Sequence, residues 1–160
     1  MKRHPALVPL SRDHHGGLAW ALRLRRTAAA GDASARLAAA SEFVEFFRTE
    51  ERVHLRVEED ALFPLLLSHV RSQPAPLREA RVQHMQLEGL ARKLDFAVRA
   101  GLVDRETLDA AAALLDAHIR LEERQLFPLI EELVPDEELR RLALADRDAK
   151  CAVRRPPLTR

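Results

Sequence analysis

Three histidines are each followed, four residues later, by a glutamate: His54 and Glu58, His84 and Glu88, His118 and Glu122. A chain with seven histidines would give fewer than one such pair by chance. On a helix this spacing puts both side chains on one face, a turn apart. An imidazole nitrogen and a carboxylate oxygen then reach a common cation. His14 adds a histidine from a separate segment. The candidate ligands are His14, His54, Glu58, His84, Glu88, His118 and Glu122, too many for one transition ion and suited to two.

These residues fall on stripes that are otherwise apolar. One stripe runs Leu10, His14, Leu18, Ala21, and a second Phe43, Phe47, His54, Glu58, Ala61, Leu65. A third runs Leu77, His84, Glu88, Ala91, Val98, and a fourth Leu108, Ala111, Leu115, His118, Glu122, Leu126, Leu129. Carboxylates buried without partners are costly, and several close together repel. Cations remove both problems. A His–Glu pair on an exposed face is also a common helix-stabilising contact, but duplication and the core stripe argue against that for these pairs. His14 lies in line with Leu10 and Leu18, whereas His15 is about 100° round the helix. Glu50 and Glu51 read as solvated helix charge, with guarding an entrance or relaying protons as the alternative. Glu59 and Glu123 read as surface or supporting residues, and His4 and His69 as unrelated to metal.

The elements that must carry these residues are helical. Apolar residues recur at three- and four-residue steps. The chain has five Gly and no Tyr in 160 residues, which favours helix over strand. The periodicity predicts helices over about 10–29, 34–70, 76–100 and 104–133, with a short fifth to about 149. Pro64 and Pro128 should kink or loosen their helices. Asp104 reads as an N-cap and Gly101 as a C-terminal stop. The stretch from His54 to Leu65 matches that from His118 to Leu129 at a constant offset of 64 residues, including Leu-Phe-Pro in both copies. Two related hairpins packed about an approximate two-fold axis follow, and the expected fold is an all-α, up-down antiparallel four-helix bundle. One domain over 1–150 and a basic tail over 151–160 are expected.

The chain resembles the hemerythrin family, in its histidine-histidine-glutamate cation-binding branch. The resemblance rests on Asp13-His14, on His54-x-x-x-Glu58 with Leu62-Phe63-Pro64, on His84, and on His118-x-x-x-Glu122 with Leu126-Phe127-Pro128. It implies a non-haem di-iron centre, oxo- or hydroxo-bridged. His14 and His54 would bind one iron, His84, Glu88 and His118 the other, and Glu58 and Glu122 would bridge. Zn or Mn also suit such ligands. The chain departs from the oxygen-carrying hemerythrins at Glu88, where they have histidine, and in the four-residue spacing of His118 and Glu122. Three carboxylates and one hydroxide would balance two Fe²⁺, and an extra hard oxygen ligand favours Fe³⁺. Sensing or handling of O₂, a reactive oxygen or nitrogen species, or iron is therefore expected over reversible O₂ carriage. A ferritin-like site needs Glu-x-x-His on two helices. Here Glu51-Arg-Val-His54 supplies it once, and Leu115 and Arg81 stand at the equivalent positions.

Binding is favoured over catalysis, with a di-iron oxidase or peroxidase, or an interaction module with a purely structural metal, as alternatives. The expected partner is O₂ or another small diatomic or peroxide, to a monomer or homodimer. With 26 basic and 25 acidic residues the net charge is +1, which offers no field for nucleic acid or membrane. Trp20 and the phenylalanines read as core, and Arg23, Arg25 and Arg26 as a solvated face. The first ten residues lack the apolar run of a secretory signal, and Cys151 is a lone cysteine, so a cytoplasmic location is the default expectation.

Overall fold

The computed structural model describes residues 3–142, all of whose regular structure is helical. Helix α1 spans Val8–Ala30. Helix α2 covers 33–68 as one run with interruptions: α-helix at Ala33–Phe46, a π-turn at Phe47–Glu51, α-helix at Arg52–Val57, a second π-turn at Glu58–Leu62, and α-helix at Phe63–Ser68. Helix α3 spans Ala75–Arg99. Helix α4 is built from Arg105–Leu121, a π-turn at Glu122–Leu126 and Phe127–Leu133. A further helix, α5, is described over 136–142. The remainder of the expected fifth helix to Ala149, the 151–160 tail and Cys151 lie outside the described residues.

Local chemistry accounts for the boundaries. Asp32 caps α2 by accepting from the amide of Ala35 at 2.8 Å, and Asp104 caps α4 by accepting from the Thr107 amide at 2.6 Å. Helix α3 ends where Gly101 takes φ +69. The amides of Gly101 and Leu102 then bond back to the carbonyls of Val98 and Ala97, a Schellman closure.

Pro64 and Pro128 do not break their helices. Each sits just after a π-turn that begins at a glutamate of the duplicated motif, Glu58 or Glu122. A proline donates no amide and crowds the carbonyl four residues back, so the wider turn absorbs a defect that would otherwise kink the helix.

Neighbouring helices approach in opposite senses. From α1 to α2 the contacts run Arg23–Glu42, Trp20–Phe43 and His14–His54. From α2 to α3 they run Arg52–Glu88 and Glu59–Arg81, and α1 meets α4 through His14–Glu123 and Gly17–Ile119. The apolar interior has two parts. One includes Leu24, Phe43, Phe47, Leu94, Leu108 and Leu115, and the other includes Leu10, Leu62, Phe63, Leu77, Phe127 and Ile130. The duplicated His and Glu residues lie in sequence between them. No described helix is long and apolar enough to cross a membrane.

Candidate metal centre

Each of α1 to α4 sends polar side chains into the layer between the two apolar parts. His14, His54, Glu58 and Glu122 form one group, and Glu58, His84, His118 and Glu122 form another. Within each group one ligand atom per residue lies within 4.8 Å of all the others. All of these residues are buried, and His118, Glu58 and Glu122 have no exposure at all.

The two glutamates are common to both groups, and their oxygens are divided between them. Oε1 of Glu58 is 3.2 Å from Nε2 of His54, while its Oε2 is 3.4 Å from Nε2 of His84. Oε2 of Glu122 is 3.1 Å from Nε2 of His14 and 3.6 Å from that of His118, and its Oε1 is 3.7 Å from that of His84. These distances allow charge attraction, yet both oxygens of each glutamate lack an aligned hydrogen-bond donor. The Nε2 atoms of His14 and His54 point at each other across 3.1 Å. Convergent lone pairs around buried carboxylates are the donor set a pair of cations takes.

The arrangement follows the 64-residue repeat. His14 stacks on Phe127 with centroids 5.3 Å apart, and His84 stacks on Phe63 at the same 5.3 Å. His14 meets His54 edge-on at 4.8 Å, and His84 meets His118 likewise at 4.8 Å. The outward ring nitrogens are held by carboxylates. Nδ1 of His14 is 2.7 Å from Glu123, Nδ1 of His84 is 3.0 Å from Glu59, and Nδ1 of His54 is 3.4 Å from Asp13. Such partners fix ring orientation and leave the other nitrogen for a metal. Glu59 and Glu123 thus support histidines on a facing helix.

The symmetry breaks at His118. Its Nδ1 is buried with no partner. The residue before His14 is Asp13, but the residue before His84 is Gln83. The Gln83 amide donates to Glu79 at 3.1 Å, and its carbonyl oxygen is likewise buried without a partner.

Electrostatics divide the histidines. Burial disfavours charge on His14, but the carboxylates of Glu122 and Glu123 outweigh it and raise its pKa to about 9. Burial is similarly outweighed by Glu122 and Glu58 at His84, which rises to about 10. His54 is raised well above its ordinary value against burial, chiefly by Glu58. Burial prevails at His118 and pushes it down to about 4. Glu123 goes down to about 2, because contacts with His14, Ser11 and Arg3 overcome its partial burial.

One expected ligand is not brought in. Glu88 lies half-buried at the side of α3, where Arg52 of α2 holds both its oxygens at 3.0 and 3.2 Å. The spacing equals that of the other two pairs, and what differs is the guanidinium of Arg52 on the facing helix, which meets Glu88 there. His15 is exposed, His4 pairs with Asp136 at 2.7 Å and His69 pairs with Glu138 at 3.1 Å.

Glu51 departs from the expectation of solvated helix charge. Glu50 is exposed, but Glu51 is only 5 % exposed, and burial pushes its carboxyl upward in pKa. The signal was present. The stripe Phe43, Phe47, His54 leaves a one-turn gap that residue 50 or 51 must fill, and Glu51 completes it.

A model of the hemerythrin HHE cation-binding domain matches residues 7–130. Searches of curated proteins and of solved structures returned no match. The match covers α1 to α3 and most of α4, and takes in every residue of the two buried His/Glu groups. The chain is metal-binding in character and belongs to the hemerythrin HHE cation-binding domain family.

Proposed function

We propose that the chain holds two iron ions in an up-down four-helix bundle and uses them to sense or handle O₂, a reactive oxygen or nitrogen species, or iron. His14 and His54 would serve one ion and His84 and His118 the other, with Glu58 and Glu122 serving both. The observation that carries this reading is the sharing of Glu58 and Glu122 between two buried groups. Bound iron would supply the redox chemistry. The protein's own part is to fix the imidazoles through Glu123, Asp13 and Glu59, to exclude water with Phe63 and Phe127, and to keep paired carboxylates ionised. Zn²⁺ and Mn²⁺ suit the same donors.

The test is elemental analysis of protein purified without oxygen after iron loading, alongside His118→Ala. Two irons per chain, falling in the variant, would support the reading. One redox-silent zinc, unaffected by the variant, would overturn it in favour of a structural metal.

A further inference from the structure

Glu51 is an acid in a place that suits none of the ordinary uses of an acid. It closes the first π-turn of α2 and is 5 % exposed. Among the described residues no hydrogen bond or ion pair holds its carboxylate.

Its position is fixed by the antiparallel approach of α1 and α2. Gly17 comes three residues after His14, and Glu51 three residues before His54. Both therefore sit one turn beyond the His14–His54 pair, on the same side. A Cβ built on Gly17 would lie 3.8 Å from Oε2 of Glu51, 3.8 Å from Leu115 Cδ1 and 2.7 Å from Ile119 Cδ1. The carboxylate thus lies beside a bare stretch of α1 backbone, which Leu115 and Ile119 of α4 also approach. A carboxylate in such surroundings is costly unless positive charge is near. The charged groups that act on it are His54 and His14, then Glu58 and Glu122, all members of the first metal group.

The charge count points the same way. Two divalent cations bring four positive charges, and Glu58 and Glu122 return two. Glu88, the carboxylate expected to contribute a third, is held by Arg52. The spacing from Glu51 to His54 is three residues, which places both on one helix face.

We infer that Glu51, and not Glu88, is the third carboxylate of the centre, and that it binds the cation held by His14 and His54. This rests on the two-cation reading above. Glu51 stands outside the set of atoms already grouped within 4.8 Å, so it would reach the cation through a different side-chain rotamer.

The experiment is calorimetric titration of the full-length, metal-free chain with Fe²⁺ under nitrogen, for wild type, Glu51→Gln and Glu88→Gln, with melting temperatures before and after loading. Wild type and Glu88→Gln should each take two equivalents. Glu51→Gln should keep one equivalent and bind the second at least about tenfold more weakly, a loss of the size seen when metal-supporting groups are removed. Metal-free Glu51→Gln should melt no lower than wild type, while its gain in melting temperature on loading should be smaller. If Glu51→Gln fails to fold, Glu51→Met, of similar volume and needing no hydrogen-bond partner, carries the same test. Two equivalents of undiminished affinity in a folded Glu51 variant would overturn the role of Glu51 and leave the two-cation reading standing. A wild type that does not take two equivalents would overturn both.

Discussion

The Nδ1 atom of His14 lies 2.7 Å from Oε1 of Glu123, joining the first and fourth helices behind the metal-facing edge of the imidazole. Glu123 also accepts from Arg3 at 2.6 Å, so its position is itself fixed. Glu123→Gln should therefore leave the fold intact and weaken Fe²⁺ binding by roughly 10–100-fold. Glu59→Gln, behind His84, should do the same. Titration of the metal-free variants checks this, and wild-type affinity in both would show that these contacts do not orient the rings.

The metal-free chain should lose stability on the alkaline side. His14 at about 9 and His84 at about 10 both stand above the ordinary 6.5. Their contribution is whole below the unfolded value and is lost as pH rises through the folded values. His118 acts in the opposite direction. Its folded value of about 4 means that, below 6.5, the unfolded chain gains a proton that the folded chain refuses. Glu123, at about 2 against an ordinary 4.5, contributes above 4.5, and that contribution is lost as pH falls through the folded value. The melting temperature of metal-free protein should fall as pH rises from 6.5 through about 9 and 10, and loading with metal should flatten that decline, since bound imidazoles are already deprotonated. Melts across the pH range with and without Fe²⁺ read this directly, and an alkaline limb that is flat without metal would contradict it.

Phe127 and Phe63 are fully buried and stack on His14 and His84. Truncating either to alanine should cost about 3–5 kcal/mol, the usual range for a buried aromatic ring. Chemical denaturation of the metal-free forms measures it. A loss below about 1 kcal/mol would mean that the rings are not packed as described.

Gly17 offers a graded probe of the turn above the site. An added Cβ meets the mobile end of Ile119 at 2.7 Å, while alanine is the better helix former by roughly 1 kcal/mol. The two effects oppose, so Gly17→Ala should lie within about 1 kcal/mol of wild type. Gly17→Leu has no such relief and should cost more than about 2 kcal/mol through overpacking. Equal stabilities for the two variants would show that α1 is free to move away from α4.

Much of the site was legible because its residues break a rule. His14, His54, Glu58, His84, His118 and Glu122 are polar groups on apolar stripes, and two of the four stripes repeat at a fixed offset. The helices were legible from the same periodicity, with Asp104 and Gly101 marking ends as expected. Glu88 shows the limit of this reasoning. Its spacing from His84 equals that of the other pairs, and only the facing helix, with Arg52 in reach, sets it apart. The π-turns were also hidden, since a sequence stripe assumes one constant pitch. Pro64 and Pro128 announced a disturbance there but not its form.

The unmatched environment of His118 has a consequence for how the centre fills. Carboxylates stand behind three of the imidazoles, while the position corresponding to Asp13 is the neutral Gln83. A duplicated hairpin has kept its geometry and lost its chemical equality. Equal seats would be occupied at the same concentration, and a half-filled protein would be scarce. On the two-ion reading, unequal seats would fill in order, so over a window of metal supply the chain would exist as a distinct one-ion species, able to report scarcity as well as sufficiency.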